Sequence, residues 1–472
     1  MCTFAGRKIK EDMKKILTII LAGAAVLASC GRAEVPVLEV EGGKIAGMVG
    51  ETEGVAVYMG IPYAAPPVGE LRWKKPQSVV AWEGVRDCMK PGPASLQADR
   101  QEGSFYWKEF YQEGDPERSE DCLYLNVWTP AAGTDEKLPV MLWIHGGAYT
   151  GGFGYETEFD GNAIASKGVI LVTINYRLGM PGFLAHPLLT AENDGIGSGN
   201  YGLYDQLAAI KWTKNNIAAF GGDPDNITIF GQSAGAGSVQ ALISSPLSEG
   251  YVAKAIIQSG GGLGGIIGTR SQEAAEAAGK EMWDIAGIAT LEEMRATPAE
   301  KFDEILSKYY EAKQLGFWGL PYGPAVDGEL LLDGTNETAL AGKSLDIPYM
   351  IGYTSEDLGP EIMRKAAVDW SLLQESQGRQ PSYVYLFKHD LPGEDMEVGG
   401  MPGAFHSSEL WYVFGTLGRC WRPMQEEDYE LSDRMVTYWT NFAKTGNPNS
   451  EGVPEWKPCT AEDSYVHELD VL

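Results

Sequence analysis

The apolar positions of this chain fall into short dense runs separated by helical spacing. Residues 140–144, Val-Met-Leu-Trp-Ile, are apolar throughout, the pattern of a strand buried on both faces of a parallel sheet. Residues 123–128, 169–174, 227–230 and 255–258 read as further strands, and strand character returns at 348–352 and 383–387. Residues 203–217 place apolar side chains at Leu207, Ala208, Ile210 and Trp212 and read as a helix; residues 236–243 read as the start of another. Strands alternating with helices predict an α/β fold with a mostly parallel central sheet.

The flanks add detail. Residues 44–47 and 55–59 read as a strand pair. Residues 88–122 are loop-like and carry Phe105, Tyr106, Trp107, Phe110 and Tyr111, which either line a substrate mouth or form a satellite cluster under a long loop. Residues 271–316 are charged and helical, without strand signals, and read as a helical insertion on the sheet. Residues 431–444 read as a helix stopped by Gly446 and Pro448. No internal repeat or clear linker divides the chain, so residues 31–472 read as one domain.

Residues 1–30 stand apart. Met13-Lys14-Lys15 precedes an apolar run over 16–27 broken only by Thr18, a signal-peptide pattern too short to span a bilayer. A leader carries its charge at its very start, which points to Met13 as the true first residue. Leu27-Ala28-Ser29-Cys30-Gly31 resembles a bacterial lipobox, with Cys30 as the lipidated N-terminus. The expectation is an exported protein, held by acyl chains at the bacterial cell envelope, in the periplasm or on the outer membrane. Cys88, Cys122, Cys420 and Cys459 then remain in a disulfide-permissive compartment, open to three pairings. No Cys-x-x-Cys or His–Cys spacing indicates a metal site. The formal charge of −28 argues against a nucleic-acid partner and disfavours anionic substrates.

The chemistry gathers around Gly231-Gln232-Ser233-Ala234-Gly235, a Gly-x-Ser-x-Gly between a strand and a helix. That is the context of a nucleophile elbow, where the serine sits on a sharp turn and the helix N-terminus behind it offers free N–H groups. Such a serine needs a base, an acid to orient it, and donors for an oxyanion. His145-Gly146-Gly147-Ala148 closes the strand at 140–144, and its small side chains let backbone N–H groups approach a reacting carbonyl. Gly147, Ala148 and Ala234 are the candidate donors. In α/β-hydrolases the chain order is serine, acid, histidine, which leaves His389, His406 and His467 as bases. Spacing favours His406, carried on a glycine-rich loop after the strand at 383–387, over His389. The acid falls in the pair Glu356-Asp357, of which only one can point at the histidine.

Several segments extend the pattern. Residues 120–127 (Glu-Asp-Cys-Leu-Tyr-Leu-Asn-Val), 175–179 (Asn-Tyr-Arg-Leu-Gly), 220–236 around Ser233 and 441–448 (Asn-Phe-Ala-Lys-Thr-Gly-Asn-Pro) together resemble the type-B carboxylesterases, over roughly residues 36–460. The resemblance implies an α/β-hydrolase fold and a serine esterase working through an acyl-enzyme. It implies Ser233 as nucleophile, His406 as base, Asp357 as acid, a Cys88–Cys122 disulfide, and no cofactor or metal. Its substrate would be a small-molecule ester, or, from the expected export rather than the resemblance, a glycan-linked one. Thioesters and lactones are alternative substrates, and a non-catalytic binding protein on the same fold is the contrasting reading. Three departures stand out. Most members have Glu-Gly where this chain has Asp357-Leu358, the segment from Asp357 to His406 is shorter than in animal relatives, and Gln232 replaces the cholinesterase glutamate.

Overall fold

The computed structural model describes residues 35–111, 114–315, 319, 321–393 and 403–472. The leader and Cys30 lie outside these residues, as do residues 399–402 of the loop before His406. Among the described residues the predicted runs assemble into a ten-stranded sheet. Its strands, numbered along the chain, are β1 (Met48–Val49), β2 (Ala56–Pro62), β3 (Tyr124–Thr129), β4 (Leu138–Ile144), β5 (Ile170–Ile174), β6 (Gly222–Gln232), β7 (Lys254–Gln258), β8 (Tyr349–Thr354), β9 (Tyr383–Phe387) and β10 (His467–Leu469). Their order across the sheet is β10-β9-β8-β7-β6-β4-β5-β3-β2-β1. All neighbours from β5 to β10 are parallel; β3, β2 and β1 complete one edge antiparallel. The central strands are apolar because they are covered on both faces: every side chain from Val140 to Ile144 is buried.

The order reverses at β4. β5 lies on one side of it and β6 returns on the other. At such a switch the loops leaving the carboxyl ends of β4 and β6 diverge, which opens a crevice between them. The main helices are α1 (Tyr201–Asn216), α2 (Ala234–Ile243), α3 (Gln272–Ala286), α4 (Leu291–Ala296), α5 (Phe302–Lys313) and α6 (Glu426–Thr445). α2 packs along β6 and β7, and α6 packs on β4 and β6. α6 ends where expected: Gly446, at φ 78°, takes the left-handed position that closes a helix. The expected insertion is α3, α4 and α5. It is fastened to the loop before residue 75, where Trp73 meets Trp283 and Phe302 at 5.9 and 6.0 Å and Arg72 donates to the carbonyls of Arg295 and Thr297.

Two local expectations change. Residues 44–47 do not pair with 55–59. Gly42 and Gly43, at φ 99° and 152°, turn the chain so tightly that Gly43–Ala46 pairs with Leu38–Val40 and, on its other side, with Val85–Asp87 in a separate small sheet. The partner of β2 is instead the next two residues, Met48–Val49. The C-terminal tail, which carries no strand pattern of its own, adds β10 to the edge of the sheet beside β9.

Arg177, from the Asn-Tyr-Arg segment, is buried and holds Asp205 of α1 through two bonds of 2.7 Å. Removing one partner leaves the other charge buried and unpaired. Asp205→Ala is therefore expected to cost about 3–5 kcal/mol, read as a lower urea midpoint at unchanged m-value.

Candidate active site

Ser233 stands where β6 becomes α2, with φ 56° and ψ −123°. That backbone is strained for any residue with a Cβ. It is held by close packing on three sides. A Cβ on Gly235 would lie 2.0 Å from the Ile144 carbonyl, and one on Gly260 would lie 2.4 Å from the carbonyl of Ser233 itself. The Ser233 N–H donates to the carbonyl of Gln258, the last residue of β7, at 2.9 Å.

The loop after β4 completes the backbone of the site. Gly147, Ala148 and Tyr149 all have positive φ, and the Gly147 carbonyl accepts from Thr150 and Gly151. A Cβ on Gly146 would lie 3.2 Å from the Ser233 Cβ, so this loop lies against the serine. The N–H groups of Gly147, Ala148 and Ala234 have no acceptor among the described residues. His145 props the loop from behind. Its ring stacks on Tyr176 at 4.4 Å, its Nδ1–H donates to Gly146, and Tyr176 donates to the His145 carbonyl. Burial pulls its pKa down to about 3, so it stays neutral and structural.

The three candidate bases separate cleanly in space. His389 is tied to Asp428 at 2.7 Å and Asp470 at 3.2 Å. His467 is stacked on Trp456 at 4.7 Å, with its pKa lowered to about 4 by burial. His406 lines one cavity with Ser233. Its Nδ1 meets Asp357 Oδ1 at 2.5 Å, and its Nε2 lies 3.2 Å from the Gln232 amide nitrogen. Asp357 accepts a hydrogen bond from Nδ1–H, so the imidazole proton stays on Nδ1 and the Nε2 lone pair accepts from Gln232. Asp357 is buried while Glu356 is exposed. Burial raises the Asp357 carboxyl, but His406, with the Thr354 N–H, outweighs it and holds the group below the ordinary range.

Sequence reasoning did not single out Glu409, three residues after His406. It is fully buried beside the His406–Asp357 pair, with Gln258 Nε2 near its Oε1 at 3.4 Å. Burial, then the charge of Asp357, pushes its pKa up to about 7. Between about pH 4.5 and 7 the folded protein keeps this proton and the unfolded chain loses it, so this group makes stability fall as pH rises through that window. Glu409→Gln removes the effect. Relative to wild type, the variant's urea midpoint is expected to rise between pH 5 and pH 8, by the equivalent of up to about 3 kcal/mol. A constant difference at both pH values would contradict a protonated Glu409.

The cavity around Ser233 and His406 has a volume of about 490 Å³ and shares Arg100, Tyr106, Gly147 and Thr150 with a second cleft of about 610 Å³. Tyr106 borders both, and its hydroxyl donates to the His406 carbonyl at 3.2 Å. Phe110 and Tyr111 face the first space and Trp107 the second, so four of the five aromatics of the 88–122 loop line the mouth, while Phe105 packs on Phe405 at 4.8 Å. Phe302 and Tyr310 of α5 wall the second cleft, which gives the helical insertion its place in the site.

The Cys88–Cys122 disulfide is not formed: the four described cysteines all carry free thiols. Each of the two is sealed in its own surroundings. Cys88 lies beside Tyr58 and Arg86, and Cys122 beside Ser95, Arg177 and Asp205. Burial pushes the Cys88 thiol up to about 11 and the Cys122 thiol well above its usual range, so both stay protonated at neutral pH. Among the described residues, no three His, Cys, Asp or Glu side chains are grouped to hold a metal ion.

A mostly parallel sheet with a strained serine at its switch point, facing a histidine from a later loop, defines the α/β-hydrolase class. The chain belongs to the carboxylesterase family, whose pattern matches residues 34–369 and 360–471. It is a carboxylic ester hydrolase. It is 34% identical over 460 residues to a para-nitrobenzyl esterase of Bacillus subtilis (strain 168), covering 86% of this chain and 89% of that one. It is 33% identical to a fumonisin B1 esterase of Sphingopyxis macrogoltabida, over 95% of this chain and 89% of the relative. A solved thermophilic para-nitrobenzyl esterase superposes with a TM-score of 0.81 at 32% identity, covering 92% of this chain and 96% of that chain.

Proposed function

We propose that the chain hydrolyses small carboxylic esters through an acyl-enzyme, with Ser233 as nucleophile, His406 as general base and Asp357 as the acid that orients it. The observation that carries this reading is the buried Asp357–His406 contact at 2.5 Å, in the cavity that Ser233 shares. His406 Nε2 leaves the Gln232 amide and takes the Ser233 proton as Oγ attacks the ester carbonyl. Negative charge develops on the carbonyl oxygen. The unclaimed N–H groups of Gly147, Ala148 and Ala234 receive it without reorganisation, each worth roughly 10²–10³ in rate. His406 then protonates the leaving alcohol, and water repeats the sequence on the acyl-enzyme. Hydrolysis of para-nitrophenyl esters from acetate to octanoate tests this reading. Turnover that falls once the acyl chain outgrows the cavity is expected; faster turnover of the matched thiol esters would favour a thioesterase.

The reading extends to the leader. Cleavage before Cys30 and acylation of its thiol hold the enzyme at the outer surface of a membrane, where small esters reach it by diffusion. Radiolabelled palmitate is expected in the wild-type protein and absent from Cys30→Ser; equal labelling of both would exclude this anchor.

A further inference from the structure

The wall of the Ser233 cavity carries a second chemistry. Glu156 and Glu158, two residues apart, both line the space in front of Ser233 and His406. Glu158 is only 1% exposed. The two carboxyls differ in how they are held. Glu156 Oε1 accepts from the Phe153 N–H at 2.9 Å, and Arg100 and the Tyr111 hydroxyl stand beside it. Glu158 Oε2 has no hydrogen-bond partner among the described residues. A buried acceptor left open in this way calls for a guest. The pair itself explains which kind. Burial, then the charge of Glu156, raises the Glu158 carboxyl well above its ordinary range, which favours a proton shared within the pair. Among the described residues neither carboxyl oxygen of Glu158 is hydrogen-bonded to a residue outside the pair, so the oxygen that does not meet Glu156 is open to a donor. Arg100, the only cation at this wall among the described residues, is stacked on the Tyr111 ring at 4.0 Å and already faces Glu156. Among the described residues neither glutamate is hydrogen-bonded to Ser233, His406 or Asp357, so the pair stands apart from the proposed triad.

We propose that Glu156 and Glu158 form a polar subsite of the ester cavity, which takes a hydrogen-bond donor carried by the substrate, a hydroxyl or a protonated amine. The proposal rests on the hydrolase reading and names what that site prefers. A substrate with a plain alkyl group there leaves the Glu158 acceptor unmatched. A substrate with a carboxylate there faces two acidic groups and is rejected. A protonated amine displaces the shared proton, which is released to water, and meets an ionised pair; a hydroxyl donates to Glu158 and leaves the shared proton in place.

The test measures kcat/KM in two matched series: para-nitrophenyl hexanoate, 6-hydroxyhexanoate and 6-aminohexanoate, and butyl, 4-hydroxybutyl and 4-aminobutyl acetate. In at least one series the wild-type protein is expected to prefer a donor-bearing ester over the plain one by about tenfold or more. Glu158→Leu is expected to bring that ratio to within about twofold of unity. Glu158→Gln, which keeps an acceptor and the shape of the side chain but no charge, is expected to retain a preference for hydroxyl and lose one for amine. Turnover with flat ratios in both series, or a preference that survives Glu158→Leu, overturns the subsite and leaves the hydrolase reading standing. No turnover of any ester overturns both.

Discussion

Ser233→Ala is expected to lower kcat toward para-nitrophenyl acetate by about 10⁶ and to leave the protein folded. The size of the effect follows from geometry. No other hydroxyl stands at the turn between β6 and α2, and the proposed donors, the N–H groups of Gly147, Ala148 and Ala234, have no acceptor among the described residues. The residual rate is set by those donors and by binding alone. A companion variant separates function from strain. Ser233 holds φ 56° and ψ −123°, a conformation that glycine adopts freely. Ser233→Gly is therefore expected to be as inactive as Ser233→Ala and to unfold at a higher urea concentration. A stable variant without turnover would show that the elbow is kept strained for its chemistry.

Asp357→Asn is expected to cost about 10⁴ in kcat, with KM little changed, because the loss falls on the transition state. The carboxylate accepts from His406 Nδ1 at 2.5 Å and so fixes the tautomer with a lone pair on Nε2. An asparagine amide donates to Nδ1 as readily as it accepts, and the donating rotamer places the imidazole proton on Nε2, where it cannot take one from Ser233. Glu356→Gln is the control. Glu356 is exposed and contributes its backbone, through the N–H to the Ala404 carbonyl at 3.1 Å, so its activity is expected to stay within about twofold of wild type. Equal losses in the two variants would contradict this division of labour.

How much of this was legible in the sequence varies with the physical signal. The central strands were clear because burial on both faces makes them continuously apolar, as in residues 140–144. The position of Ser233 at a strand-to-helix turn was clear because glycine spacing marks close backbone approach. Chain order left His389 and His406 both open; only the glycine-rich loop before His406, and the resemblance, favoured it, since a single histidine carries no periodic signal. The choice between Glu356 and Asp357 depended on which side of a turn each faces, which one residue of register reverses. Glu156 and Glu158 stayed invisible. In a glycine-rich loop an acidic residue reads as solvated, and only the fold buries this pair against the cavity. The pairing of residues 44–47 was misread because two glycines, not hydrophobic alternation, decide where that strand turns. The disulfide implied by resemblance failed for a similar reason: chain distance between Cys88 and Cys122 says nothing of the separate surroundings into which each thiol is packed.

The most direct test of the account is a rapid-mix experiment with para-nitrophenyl acetate, followed by acid quench and peptide mass analysis. A burst of one para-nitrophenol per active site, with a single acetyl group on the peptide containing Ser233, is the expected result. Steady release with no burst and no acetyl adduct, or an adduct on another residue, would contradict an acyl-enzyme formed at this serine.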